Sequence, residues 1–280
     1  MSGQHAKVAA AAQTVPYAGY RDAVSRLSGA QKTAARGAPA YSRFVNRRLG
    51  RYLAAAAFGL GLTPNAVTAV SAVFTFTGIG LLVAFPPSWG LGIAVSLLLV
   101  VGYALDSADG QLARLTGTGS PAGEWLDHMV DSVKTSVLPL ALLVALYRFE
   151  AVDQGWLLVP LGSAVVATVL FFSMILTEQL RRQRGVVSMA DDSAGPSWLR
   201  SLLVVPMDYG VLCLSFLFYG AIPLFMAVYT AIFAATAAFL ALASVKWFRE
   251  LQTIYGPAST TLPARNRAPS GVATLSDSGG

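Results

Sequence analysis

Six apolar runs, near residues 64–85, 91–112, 124–147, 156–177, 202–219 and 222–246, decide what this chain can fold into. Each approaches or exceeds the ~20 residues that a helix rising 1.5 Å per residue needs to cross a hydrocarbon core. Breakers agree with that division: Pro86, Pro87 and Gly90 separate the first pair, Asp153 and Gly155 the third and fourth, Gly220 and Pro223 the last. Only 12% of the residues are charged and 55% are hydrophobic, where a soluble protein carries about 25% charge. The expected fold is therefore all-α, a polytopic membrane protein with six transmembrane helices.

The flanks complete the plan. Residues 1–38 mix small and charged side chains without sustained periodicity and read as a flexible or loosely helical cytosolic arm with no evident cleavable signal. Over 41–53, Phe44, Val45, Leu49, Tyr52 and Leu53 fall on one side of a helix and Arg43, Arg47, Arg48 and Arg51 on the other, which predicts an amphipathic helix in the headgroup plane. The membrane domain is set at 39–250. The tail, 251–280, is rich in Pro, Ser, Thr, Ala and Gly and is expected to be disordered.

Basic residues set the orientation. With a cytosolic amino terminus, Arg43, Arg47, Arg48, Arg51, Arg114, Arg181, Arg182, Arg184, Arg200, Arg249, Arg265 and Arg267 all lie inside, and the outer loops hold only Arg148. Trp89, Trp125, Trp156, Trp198 and Trp247 fall near span ends, where indoles meet headgroups. The net charge of +6 resides in the tails and between apolar runs, so anionic headgroups rather than nucleic acid are its expected partners. The lone cysteine, Cys213, excludes an intramolecular disulfide and reads as a small buried hydrophobe.

Against this apolar background, Asp106 and Asp109 end the second span and Asp127 and Asp131 open the third. A carboxylate inside a membrane helix costs roughly 2.5–3.5 kcal/mol, so such residues usually face a cavity and mark function. Spacings of three and four residues put each pair on one helix face, and a turn through Gly117 brings the two faces together at the cytosolic end. Four clustered acids require positive charge. Carboxylate oxygens suit Mg²⁺ or Mn²⁺, and paired ions about 3.5–4 Å apart serve phosphoryl displacement. Zinc is disfavoured by the absence of cysteines nearby, and His128 alone reads first as a structural residue. Gly110, Ala113, Arg114 and Gly123 would leave room and charge for a phosphate ligand.

These positions form D-x-x-D-G-x-x-A-R, eight residues, then G-x-x-x-D-x-x-x-D, without departure in type or spacing. The stretch resembles the signature of the CDP-alcohol phosphotransferases, and Thr63-Pro64-Asn65 at the start of the first span is similar to that family too. The resemblance implies an enzyme that moves a substituted phosphate from a CDP-alcohol, commonly CDP-diacylglycerol, to an alcohol acceptor and releases CMP. It implies that Asp106, Asp109 and Asp127 hold two divalent cations, that Asp131 joins them or acts as base, and that Gly110, Ala113, Arg114 and Gly123 line the CDP pocket. It also implies a homodimer in the cell membrane with its active site facing the cytosol.

Two alternatives share some of these features. A divalent-cation transporter also uses intramembrane acids, although it needs neither the Gly, Ala and Arg positions nor, here, shows an inverted repeat. A non-catalytic lipid-binding protein would have no use for intact aspartates. The acceptor is not specified: Lys134 could pair with the aspartates or hold an acceptor phosphate, and Glu178, Arg181, Arg182 and Asp208 could line its pocket.

Overall fold

The computed structural model describes residues 19–34, 40–186 and 208–255. Most of the expected tail and the start of the fifth span, with Trp198, Arg200, Arg265 and Arg267, lie outside them. The described chain is helical throughout: α1 (Tyr20–Ala34), a π-helical turn (Ser42–Asn46) leading into α2 (Arg47–Gly59), α3 (Pro64–Ala84), α4 (Trp89–Thr116), α5 (Pro121–Arg148), α6 (Leu158–Gln183), α7 (Tyr209–Ser215) and α8 (Ile222–Tyr255). Five of these, α3 to α6 and α8, are long and apolar enough to cross a membrane, and α7 with the turn that follows makes a shorter apolar helix. The protein is an all-α polytopic membrane protein.

Local chemistry starts and stops the central helices. Thr63 caps α3, its hydroxyl accepting from the Ala66 amide at 3.2 Å, and Pro64 follows at the first helical position, where a missing N–H costs nothing. Ser88 and Ser120 cap α4 and α5 in the same way, at 3.2 and 3.1 Å. Gly117 ends α4 with φ +65°, the left-handed conformation that glycine adopts without a Cβ penalty. The α4–α5 turn is therefore short and closely specified. Pro139 inside α5 is tolerated; it is buried among Leu138 and Leu142 in the bundle.

Helices α3, α4 and α5 form the centre. Leu82, Val95, Leu99, Leu138, Leu142 and Leu146 are buried there, closed at one end by Phe216 and Tyr219 from the turn after α7 and by Phe225 from α8. A second cluster of Ala54, Ala57, Val67, Ala108 and Leu112 joins α2 to α3 and α4 at the opposite end, and Leu27 of α1 inserts into it. Thus α1, within the segment expected to be flexible or loosely helical, packs through Ala23 and Leu27. By contrast, Phe44, Val45, Leu49 and Tyr52 are exposed, as a helix lying in the acyl-headgroup boundary requires. Arg47, half-buried, lines a cavity.

Candidate active site

The short α4–α5 turn sets two acidic helix faces side by side. Asp106 and Asp109 come from the last turns of α4, and Asp127 and Asp131 from the first turns of α5. Helix α3 supplies the third wall with a polar stripe, Thr68, Ser71 and Thr75, all buried. The Thr68 hydroxyl donates to Asp109 Oδ2 at 2.5 Å, and the Gly110 amide donates to Asp109 Oδ1 at 2.5 Å, so both oxygens of that carboxylate are oriented.

Lys134, one turn beyond Asp131, reaches back into the cluster. Its Nζ donates to Asp106 Oδ1 at 2.5 Å, to Asp131 Oδ1 at 3.0 Å and to Ser71 Oγ at 3.4 Å. One ammonium does not balance four carboxylates. Asp127 Oδ1 is buried and has no hydrogen-bond partner among the described residues, a costly state for an acid unless a cation completes it. Ligand atoms of Asp127, His128 and Asp131 lie within 4.8 Å of one another, within the reach of one ion. Oriented and orphaned carboxylate oxygens of this kind fit a hard divalent cation. His128 also faces Glu124 at 3.7 Å and the edge of Phe171, contacts that a purely structural histidine would make.

Two cavities open from the cluster. One, of about 570 Å³, is walled by Arg26, Arg47, Ser107 and Gln111 and reaches Asp106. The other, of about 670 Å³, is walled by Asn65, Thr68, Ala113, the Gly117–Gly119–Pro121 turn, Gly123 and Arg182. Asp109, Gly110, Arg114 and Asp127 belong to both, so the cavities meet at the acids. A Cβ at Gly110 would find only the Arg114 guanidinium within 4 Å, at 3.6 Å, leaving the backbone open to a ligand. All the signature positions except Asp131 line one cavity or both. Asp131 lines neither and is tied to the cluster through Lys134.

Of the residues left open by the sequence, Arg182 reaches the larger cavity and is held by Glu124 at 2.6 Å and Glu178 at 3.3 Å. Arg181 forms a two-pronged pair with Glu250, joining α6 to α8. Asp208 caps α7 and accepts from the Ser42 amide at 2.8 Å. Thr68, Ser71 and Arg26 are additions from the structure, and Asn65, already noted at the start of the first span, walls the larger cavity. The hydroxyls had a signal, since positions 68, 71 and 75 recur on one helical face of an otherwise apolar run.

Comparison with known proteins agrees with this geometry. Residues 61–262 match the family model described as CDP-alcohol phosphatidyltransferase. Human ethanolaminephosphotransferase 1 is 32% identical over 116 residues, 32% of this chain and 29% of that protein. The CDP-diacylglycerol–serine O-phosphatidyltransferase of Encephalitozoon cuniculi is 34% identical over 87 residues, 29% of this chain and 22% of that protein. The archaetidylinositol phosphate synthase of Pyrococcus horikoshii is 35% identical over 104 residues, 37% of this chain and 50% of that protein. The matched region thus spans half or less of each relative's length. A family model that covers most of the chain, the acidic cluster between α4 and α5 included, places this chain in the CDP-alcohol phosphatidyltransferase family.

Proposed function

We propose that this protein transfers the phosphatidyl group of CDP-diacylglycerol to the hydroxyl of an alcohol acceptor and releases CMP, a step of phospholipid biosynthesis. The observation that carries the reading is the meeting of two cavities at Asp109, Gly110, Arg114 and Asp127, beside a buried carboxylate oxygen without a partner. Two substrates need two approaches to one phosphorus. CDP-diacylglycerol as donor is supported by the membrane-spanning scaffold and by the E. cuniculi relative, whose name carries that donor.

The donor pyrophosphate is anionic and the cluster is acidic, so the two would repel unless cations lie between. Two Mg²⁺ or Mn²⁺ ions held by Asp106, Asp109 and Asp127 would supply that neutralisation and polarise the phosphoryl group. The residues do the rest. Thr68 and the Gly110 amide keep Asp109 aimed, and Gly110, Ala113 and Gly123 leave the space that the CDP moiety enters. Arg114 borders both cavities and meets phosphate oxygens. Asp131 accepts the acceptor hydroxyl's proton as the new oxygen–phosphorus bond forms and the bond from phosphorus to the CMP oxygen breaks.

The protein is proposed to act as a homodimer in the cell membrane, with the acidic end and both termini on the cytosolic side, as the arginine distribution supports. The deciding experiment measures CMP release from CDP-diacylglycerol by the purified protein, with and without Mg²⁺, across a panel of free and phosphorylated alcohols. Metal-dependent CMP release with one acceptor supports the reading. Divalent-cation flux in vesicles without CMP release from any combination overturns it.

A further inference from the structure

We infer that the smaller cavity receives the alcohol acceptor, and that Arg26 and Arg47 on its wall select an acceptor carrying a phosphate of its own. This assignment deepens the phosphotransferase reading and rests on it. The cavity, about 570 Å³, falls within the ~300–1,000 Å³ of small-ligand pockets. Three guanidiniums, of Arg26, Arg47 and Arg114, share its wall with three carboxylates, of Asp106, Asp109 and Asp127. The acids stand on α4 and α5, whereas Arg26 and Arg47 come from α1 and α2. A ligand that suits both has an anion for the arginines and a hydroxyl for the acid-lined end. Arg26 and Arg47 also precede residues 61–262, which match the family model, so they are found only from the structure of this chain.

Packing fixes both arginines at the cavity. Gln111, only 3% exposed, donates from Nε2 to the Arg47 carbonyl at 3.2 Å. Nearby, Gly50 lets α2 lie directly on α4: a Cβ there would come within 2.7 Å of Ser107 Oγ. The start of α2 is thus pinned and Arg47 is half-buried. Arg26 is carried by its neighbour Leu27, which is buried with Ala54, Ala108 and Leu112. It pairs with Asp22 through Nε at 2.9 Å, which among the described residues leaves both Nη groups to meet an anion. The larger cavity differs. Its own arginine, Arg182, is engaged by Glu124 and Glu178, and much of the remaining wall is Ala113, Gly117, Gly119 and Gly123, which leave room for a nucleotide. Acyl chains gain nothing against three guanidiniums, so the smaller cavity is left to the water-soluble acceptor. There an amino alcohol's ammonium would meet like charge, and a neutral polyol would leave the arginines without an anion.

The test uses the purified full-length protein with CDP-diacylglycerol and Mg²⁺ and compares acceptors in pairs, glycerol with glycerol phosphate and inositol with inositol phosphate, with serine and ethanolamine alongside. A phosphorylated acceptor is expected to give at least ~10-fold higher kcat/KM for CMP release than any free alcohol. Arg26→Gln and Arg47→Gln are each expected to raise the KM of that acceptor about 3–10-fold while the donor KM stays within ~2-fold, and the double variant to raise it at least ~10-fold. Arg26 is a half-exposed side chain, so its replacement leaves the fold intact and decides alone should Arg47→Gln not fold. A free or amino alcohol used as well as the phosphorylated ones overturns the inference, and so does an unchanged acceptor KM. A donor KM that rises as much as the acceptor's also overturns it, because the arginines would then serve the donor's pyrophosphate. If no acceptor yields CMP, the proposed function falls, and equilibrium dialysis of radiolabelled glycerol phosphate against the Mn²⁺-loaded protein still judges the two arginines. Binding at least ~3-fold weaker in the variants supports an anion site between them, whereas equal binding, or none by the wild type, refutes it.

Discussion

Asp109 is the acid whose orientation is most completely determined by its neighbours. Thr68 donates to one oxygen and the Gly110 amide to the other, both at 2.5 Å. A hydrogen bond to a charged group contributes about 1.5–3 kcal/mol, and each 1.4 kcal/mol is tenfold in an equilibrium constant. Thr68→Val keeps the side chain's shape and removes that donor. The Mg²⁺ concentration giving half-maximal CMP release is expected to rise about tenfold or more, and an unchanged value would show that Asp109 does not meet the ion. Asp127→Asn acts at the orphaned oxygen. It is expected to remove one Mn²⁺ from the equilibrium titration and to abolish CMP release, whereas retained ion count would transfer that role to Asp106 and Asp109.

The same residues mark how far sequence reasoning reaches. The four acids were legible because a charge in an apolar run is expensive and spacings of three and four have one helical meaning. Thr68 and Ser71 were not singled out, because a hydroxyl in a helix can always turn to its own backbone: Thr68 Oγ1 also lies 3.2 Å from the Pro64 carbonyl. Lys134 was legible as a neighbour of the cluster but not as the cation between two of its members, since three residues along a helix do not say how a long side chain turns.

At the scale of elements, α3 begins at Pro64 as expected, behind its Thr63 cap, whereas α5 begins at Pro121, three residues before the expected start of the third span, because Ser120 caps it and the proline fits the first helical position. Helices α6 and α8 run past their expected ends, to Gln183 and Tyr255. An ion pair and a hydrogen bond sustain those extensions: Arg181 joins Glu250 across the two helices, and Tyr255 donates to the Leu180 carbonyl at 2.8 Å. Apolar pattern sees only the bilayer-thick portion, and the polar overhang is held by partners far away in sequence. Helix α1 falls in the arm read as flexible or loosely helical; what the mixed pattern did not show is its docking, which rests on two apolar contacts, Ala23 and Leu27.

That helix gives a prediction of its own. Arg26 pairs with Asp22 at 2.9 Å and walls the smaller cavity opposite Arg114. If a phosphate enters there, Arg26 contributes binding that is present in ground and transition states alike. Arg26→Gln is then expected to raise the KM of the phosphate-bearing substrate about 3–10-fold with kcat within ~2-fold. Leu27→Asp, which undocks the helix by burying a charge, should reproduce the effect. Kinetics identical to wild type in both variants would make α1 a structural brace and nothing more.

For the whole molecule, the arginines carry the orientation, and the structure explains their single exception. Arg148, alone at the opposite end from the acids, donates to the Val83 carbonyl at 3.1 Å and so closes the end of α3, a structural task that any topology would allow. The remaining described arginines gather at the end that holds the α4–α5 turn, with Arg47, Arg114 and Arg182 in the cavity walls themselves. Positive charge tends to be retained on the cytosolic side during insertion, so this distribution supports the proposal that the acidic cluster faces the cytosol. The only cysteine, Cys213, is fully buried, which makes the topology measurable. In a Cys213→Ala background, Thr118→Cys sits in the α4–α5 turn and Gln154→Cys in the turn before α6, at opposite ends of the bundle. A membrane-impermeant maleimide applied to intact cells should label Gln154→Cys and should reach Thr118→Cys only after permeabilisation. The reverse pattern would put the acids and their nucleotide on the outer face and remove the physical basis for a cytosolic donor.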